Sequence, residues 1–296
     1  MISAKVLKHS IAPSGITIIT MELEFPRIIL AEFNTHRMFS RNTESSRAVP
    51  TEKLHQRLQE DPFIPVYWGE NKGGMSAVRE IDDIPGATAL WFKFRDMYIE
   101  CAAELKRECN VHKQITNRLT ETFTNVKSVV TSTEWDNFFF LRNHAAAQPE
   151  FQLLAKLMLE AQQASTPEIL RYGEWHVPYV DTVRGADGVL KYLDSSGAEI
   201  SIEDALIISA ACCAQVSYRN LDDTLEKCKS IFDRLINCAP DPSHSSPVEH
   251  QATPIDLNKS FRELSGVTHM DKNQMLWSAN FRGWIQHRKL IPNESV

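Results

Sequence analysis

The densest polar chemistry of the chain lies in thirteen residues, Thr35 to Arg47, which gather Arg37, Arg41, Arg47, His36, Asn42, Ser40, Ser45 and Ser46. Guanidinium forks match phosphate or carboxylate oxygens, and hydroxyls add short donors. The stretch is therefore a candidate anion site, though a solvated helix end with capping serines has the same composition. A second group comprises Asn117-Arg118, Asn137-Phe138-Phe139-Phe140-Leu141-Arg142 and Ala147-Gln148-Pro149-Glu150. By residue type alone it is an aromatic-rich amphipathic helix with a surface arginine. A third, Ser243-His244-Ser245-Ser246-Pro247-Val248-Glu249-His250, holds three residues of metal-ligand type. Its spacing is not H-E-x-x-H and no third-ligand pattern follows, so no metal is expected; a capping loop is the plainer alternative.

Several elements must position these residues. Residues 16–25 alternate and are rich in β-branched side chains, predicting a strand. Pro26 suits the first turn of a helix, predicted over 27–39, with a polar loop at 42–50. Residues 61–85 are rich in Pro, Gly and Asp and read as an irregular surface excursion. Residues 87–109 predict a helix whose stripe Trp91, Phe94, Tyr98, Cys101 and Leu105 should face a core. A β-branched stretch follows at 126–133. Helices are predicted at 135–142, 150–163, 202–216 and 221–235, a hairpin or linker at 181–199, and a Pro/Ser loop at 238–247. Aromatic and basic residues alternate over 277–290.

The chain has 296 residues, is 43% hydrophobic and 24% charged, and carries a net charge of −6. That composition builds a sizeable core and argues against a surface made for nucleic-acid polymers. No run of about 18 apolar residues suggests a membrane span, and residues 1–15 lack a signal-peptide core; the expectation is a cytoplasmic protein. The six cysteines contain no C-x-x-C pair and are expected as reduced core residues. Neither G-x-G-x-x-G nor a Walker-type loop occurs, so any nucleotide cofactor is held by other means.

The first group resembles the signature of the flavin-dependent thymidylate synthases (ThyX), R-H-R followed by seven residues and a serine. The fuller pattern H-R-x-x-S-x-N-x-x-S-x-R is met by His36, Arg37, Ser40, Asn42, Ser45 and Arg47. Thr35 replaces the first arginine, and Thr43 replaces the usual glutamate, with Glu44 one place on. The second group resembles the family's A-R, N-F-x-x-L-R and A-Q-x-E elements in order, with Thr131 and Thr133 where an asparagine and an arginine usually stand. The third resembles G-H-x-S/T-P-x-E-H, which in the family precedes the signature, as does a helix resembling residues 210–219. Both come late here, so the chain resembles a circularly permuted, phage-type member. The resemblance omits residues 51–110, 175–200 and 255–296.

The resemblance implies an α/β (α+β) fold with a central mixed or antiparallel sheet flanked by helices. One domain would span 1–296, with an irregular insertion around 51–86 and a C-terminal segment, 239–296, completing a flavin site. It implies FAD contacts from His36, Arg37, Ser40, Asn42, Thr43, Asn137, His244 and Ser246. Contacts to a pyrimidine deoxynucleoside monophosphate would come from Glu32, Ser45, Ser46, Arg47, Arg118 and Arg142. Arg142 would be catalytic, with methylenetetrahydrofolate as carbon donor, NADPH as reductant and a homotetramer as the assembly. A dCMP or dUMP hydroxymethylase and an inactive nucleotide-binding module are the alternatives. Glu32 stands where the family has glutamine. It either accepts from a cytosine amino group or balances Arg37 or Arg142.

Overall fold

The computed structural model of the protein describes residues 1–296 apart from Met75, 218–220, 239–243, Asn293 and 295–296. Its centre is a five-stranded sheet of β1 (Ser3–Ile11), β2 (Thr17–Pro26), β3 (Ser40–Thr43), β4 (Asn125–Ser132) and β5 (Glu168–Ile169), in the order β3-β4-β2-β1-β5. All neighbours are antiparallel except β1 and β5, so the sheet is mixed, as expected.

The central strand β2 shows why the sheet is covered on both sides. Ile19, Met21, Leu23 and Phe25 join a core with Phe151, Leu154 and Met158, which lie on the helix Pro149–Ala164. Ile18, of opposite parity, joins a second core with Ile208, Ala211, Ile231, Ala252 and Trp284. Alternating side chains leave a strand on opposite faces, so a strand apolar at both parities must be buried twice.

Between β2 and β4 lie α1 (Leu30–Phe33), α2 (Thr51–Glu60), α3 (Ile84–Cys109) and α4 (Lys113–Thr116). α5 (Asp136–Arg142) and α6 (Pro149–Ala164) follow β4. A meander of β6 (Asp181–Arg184), β7 (Leu190–Leu193) and β8 (Glu199–Ile200) leads to α7 (Ile202–Ala214) and α8 (Leu225–Leu235). The chain ends in short strands: β9 (Ala252–Pro254), β10 (His269–Met270), β11 (Leu276–Ser278), β12 (Phe281–Arg282) and β13 (Trp284–Gln286).

Several expectations need correction. The helix over 27–39 is only a 3-10 turn, Arg27–Ile29, followed by α1. Thr35 Oγ1 donates to the Glu32 carbonyl at 2.7 Å and competes with the next helical turn. The chain then turns so that Ser40–Thr43 pair with β4, placing Asn42 and Thr43 in a strand rather than a loop. The insertion is not irregular throughout. Thr51–Glu60 is helical because Leu54 and Leu58, one turn apart, bury against Val49 and Phe123. The stripe on α3 is displaced. Trp91 and Ile99 pack on that small cluster, whereas Phe94 and Tyr98 are 47% and 42% exposed. Cys212, Cys213 and Cys228 are buried, but Cys101 and Cys109 are exposed on α3 and Cys238 is half-buried. β1 answers to no predicted strand, since its lysines at 5 and 8 mask the alternation.

Candidate active site

Three of the expected residues converge at the ends of α1 and α5. Arg142 Nε donates to His36 Nε2 at 3.0 Å, and its Nη1 pairs with Glu32 Oε2 at 3.3 Å. The guanidinium lies 4.5 Å over the Phe151 ring. The His36 ring meets Phe138 edge-on at 4.9 Å. Phe33, Phe39, Phe138 and Phe151 form the aromatic bed beneath. Burial there, then the charges of Arg142 and Arg41, push the His36 pKa down to about 4. The imidazole is therefore neutral at neutral pH, and because Nε2 accepts, the proton belongs on Nδ1. Arg142 is a fixed cation with five donors, of which these contacts engage two. Glu32 and Arg142 open on a cleft of about 820 Å³, also lined by Tyr67, Gln148 and Glu150.

The signature splits between two duties. On β3, Ser40 and Asn42 are buried. Ser40 Oγ accepts from Asn280 Nδ2 at 3.1 Å and Gln286 Nε2 at 3.2 Å, and Asn42 Nδ2 donates to the Cys213 carbonyl at 3.2 Å. Thr43 Oγ1 meets Ser128 Oγ at 2.9 Å. Ser46 Oγ donates to Glu121 at 2.6 Å, so this hydroxyl is directed to a carboxylate. Ser45 is half-buried, while Arg37, Arg47, Arg118 and Asn137 are exposed. Asn117 is a staple: its amide donates to the Ser46 and Val49 carbonyls at 2.8 and 3.0 Å and fixes the loop's path. Behind that loop lies a smaller cavity of about 280 Å³, lined by Arg27, Glu44, Ser46 and Arg57 among others.

The third group reaches the signature from the far end of the chain. The 3-10 turn Ser246–Glu249 packs on β3, and Gln286 donates to both Ser40 Oγ and the Glu249 carbonyl. Glu249 pairs with Arg288. His250 is fully buried and bonded through Nδ1 to Thr131 Oγ1 at 2.8 Å. His244 and Ser246 are exposed, and Ser243 lies outside the described residues. Among the described residues no group of three or more His, Cys, Asp or Glu side chains could hold a metal ion.

Thr131 and Thr133 are committed internally. Thr131 belongs to a buried chain running Ser10–His176–Thr20–Thr131–His250, with successive contacts of 2.9, 2.8, 2.7 and 2.8 Å. Thr133 Oγ1 accepts from the Arg282 amide at 3.0 Å. Sequence reasoning missed His176, Asn280 and Gln286. Nothing in local pattern marks them, because each acts on a strand remote in sequence. No helix of the described residues is long and apolar enough to cross a membrane.

A family model described as "Thymidylate synthase complementing protein" (Thy1) matches residues 12–168. No curated protein matches. Among solved structures, the chain is similar to two of thymidylate synthase X from Helicobacter pylori, both with FAD and dUMP. They are 18% and 19% identical, with TM-scores of 0.36 and 0.33, and each match covers 49% of this chain and 67% of that one.

Proposed function

The chain belongs to the thymidylate synthase complementing protein (Thy1) family, and from that membership we propose that it methylates dUMP at C5, with FAD as cofactor and methylenetetrahydrofolate as carbon donor. The observation that carries this reading is the Glu32–Arg142–His36 cluster at the mouth of a cleft. Bound reduced FAD would supply the hydride that completes the methyl group, and NADPH would renew it. The exposed Arg37, Asn137, His244 and Ser246 offer a guanidinium, an amide, an imidazole and a hydroxyl, a donor set suited to a dinucleotide diphosphate. Ser40, Asn42 and Thr43 act one step back, on the strand against which the Ser246–Glu249 turn packs.

Arg142 would stabilise negative charge as C5 becomes nucleophilic. Neutral His36 accepts from its Nε and Phe151 stacks beneath it, so its orientation is set before substrate arrives. Arg47 and Arg118, both exposed, would meet the 5′-phosphate beside Ser45. Glu32 is held by Arg142, which favours the charge-balancing role and uracil as the base. A homotetramer, a cytoplasmic location and a circularly permuted order of motifs along the chain are part of the same reading. Incubating the protein with FAD, NADPH, methylenetetrahydrofolate and either dUMP or dCMP, then weighing the nucleotide, tests it. A gain of one methyl on dUMP is expected. A hydroxymethylated product, or none from either nucleotide, would refute it.

A further inference from the structure

One wall of the cleft comes from the insertion, in a segment that matches no motif of the signature. Its form is fixed by three features. Glu150, only 3% exposed, accepts from the Val66 amide at 3.1 Å and from Gln148 Nε2 at 3.1 Å, so a buried carboxylate tethers the wall to α6. A short ladder then turns the chain back: Ile81 N donates to the Trp68 carbonyl, Glu70 N donates to the Arg79 carbonyl, and Gly69 bridges Glu80. Trp68 packs edge-on against Trp91 of α3 at 5.9 Å. Gly69 is required at the crossing. A Cβ there would fall 2.3 Å from Ala77 Cβ and 3.4 Å from Tyr67 Cε1. One edge of the Tyr67 ring, Cδ1 and Cε1, thus lies beside Gly69, and the half-buried residue lines the same cleft as Glu32 and Arg142.

We propose that Tyr67 is a substrate-binding residue whose ring is the surface on which the pyrimidine base stacks; the assignment rests on the nucleotide reading above. An aromatic face held in place before binding loses little freedom when a flat heterocycle lands on it. Such a face tolerates any base and leaves the choice of base to polar groups such as Arg142. Gly69 then acts as a positioning residue, since a side chain there collides with Ala77 and opens the ladder that carries the ring.

The test is calorimetric titration of the FAD-loaded protein with dUMP and, separately, with deoxyribose 5-phosphate, which has the sugar and phosphate but no base. Tyr67→Ala and Tyr67→Leu should weaken dUMP by about 5- to 150-fold, and Tyr67→Phe should stay within about twofold of wild type. Deoxyribose 5-phosphate should bind all four proteins alike. Gly69→Ala should weaken dUMP while leaving the abasic probe unchanged. Equal losses on both probes, or undiminished dUMP binding by Tyr67→Leu, would overturn the assignment and leave the proposed function standing. A wild-type protein that binds no dUMP would remove the function and the assignment together.

Discussion

Two histidine clusters, His36 with Arg142 and His176 with His250, use the same side chain in opposite ways. Burial is the first cause in each case, lowering the pKa of His36 to about 4, that of His250 to about 3 and that of His176 well below its ordinary value. Around His36, however, the partners are charged and the cluster opens on a cleft. Around His176 the ring nitrogens meet only hydroxyls, and nothing in the chain reaches solvent. The first arrangement holds a cation ready for a ligand. The second ties β1, β2, β4 and the His250 loop together. A perturbed histidine pKa therefore does not by itself mark a catalytic site; the charge and access of its neighbours do.

The largest expected effect separates the two clusters by activity. Arg142→Ala should lower turnover by on the order of 10²–10³-fold and barely shift the melting temperature. Loss of fold rather than of rate would move Arg142 into the structural class.

His176→Phe should do the reverse. It strands the buried hydroxyl of Ser10 and leaves Thr20 with Thr131 alone, so urea unfolding should show a loss of about 1–3 kcal/mol, with flavin binding retained in the folded fraction. A variant as stable as wild type would mean the buried chain adds nothing.

Acid sharpens the comparison. His250 in the folded protein titrates below its unfolded value, so the unfolded state takes the proton first and stability falls as pH drops from about 6.5 towards 3. By pH 5 this one group should cost roughly 2 kcal/mol. His250→Asn should flatten the fall of melting temperature between pH 7 and pH 5, and an unchanged slope would show that His250 is not the source. His36→Gln should flatten the same interval by a similar amount, because a folded pKa of about 4 also lies below pH 5.

The smallest effect concerns Glu32, whose exposed pair with Arg142 contributes at most about 1 kcal/mol. Glu32→Gln should leave stability unchanged, alter turnover of dUMP by less than about tenfold, and leave dCMP inert. Turnover of dCMP by either protein would return Glu32 to the base edge.

The spacing of His36, Arg37, Ser40, Asn42, Ser45 and Arg47 was readable before any fold, because a motif is a local pattern. β2, β4 and α6 were readable for the same reason: Ile19 to Phe25 alternate, and Leu154 and Met158 recur one helical turn apart. The short α1 was not, since its end depends on Thr35 turning onto the Glu32 carbonyl and on β4 waiting to pair with Ser40. The reading of α3 as core failed because periodicity locates an apolar stripe without showing what covers it.

The amino-acid order by itself determined the strand that became β2 and the family resemblance, and through that resemblance the α/β class, since motif and alternation are written in residue type and short-range spacing. Tertiary structure alone decided which signature side chains turn inward and which face solvent. Strand geometry sends alternate residues to opposite faces, and the face is chosen by the partner strand. Here the partners of Ser40 include Gln286, 246 positions away. Only folding could bring them into contact.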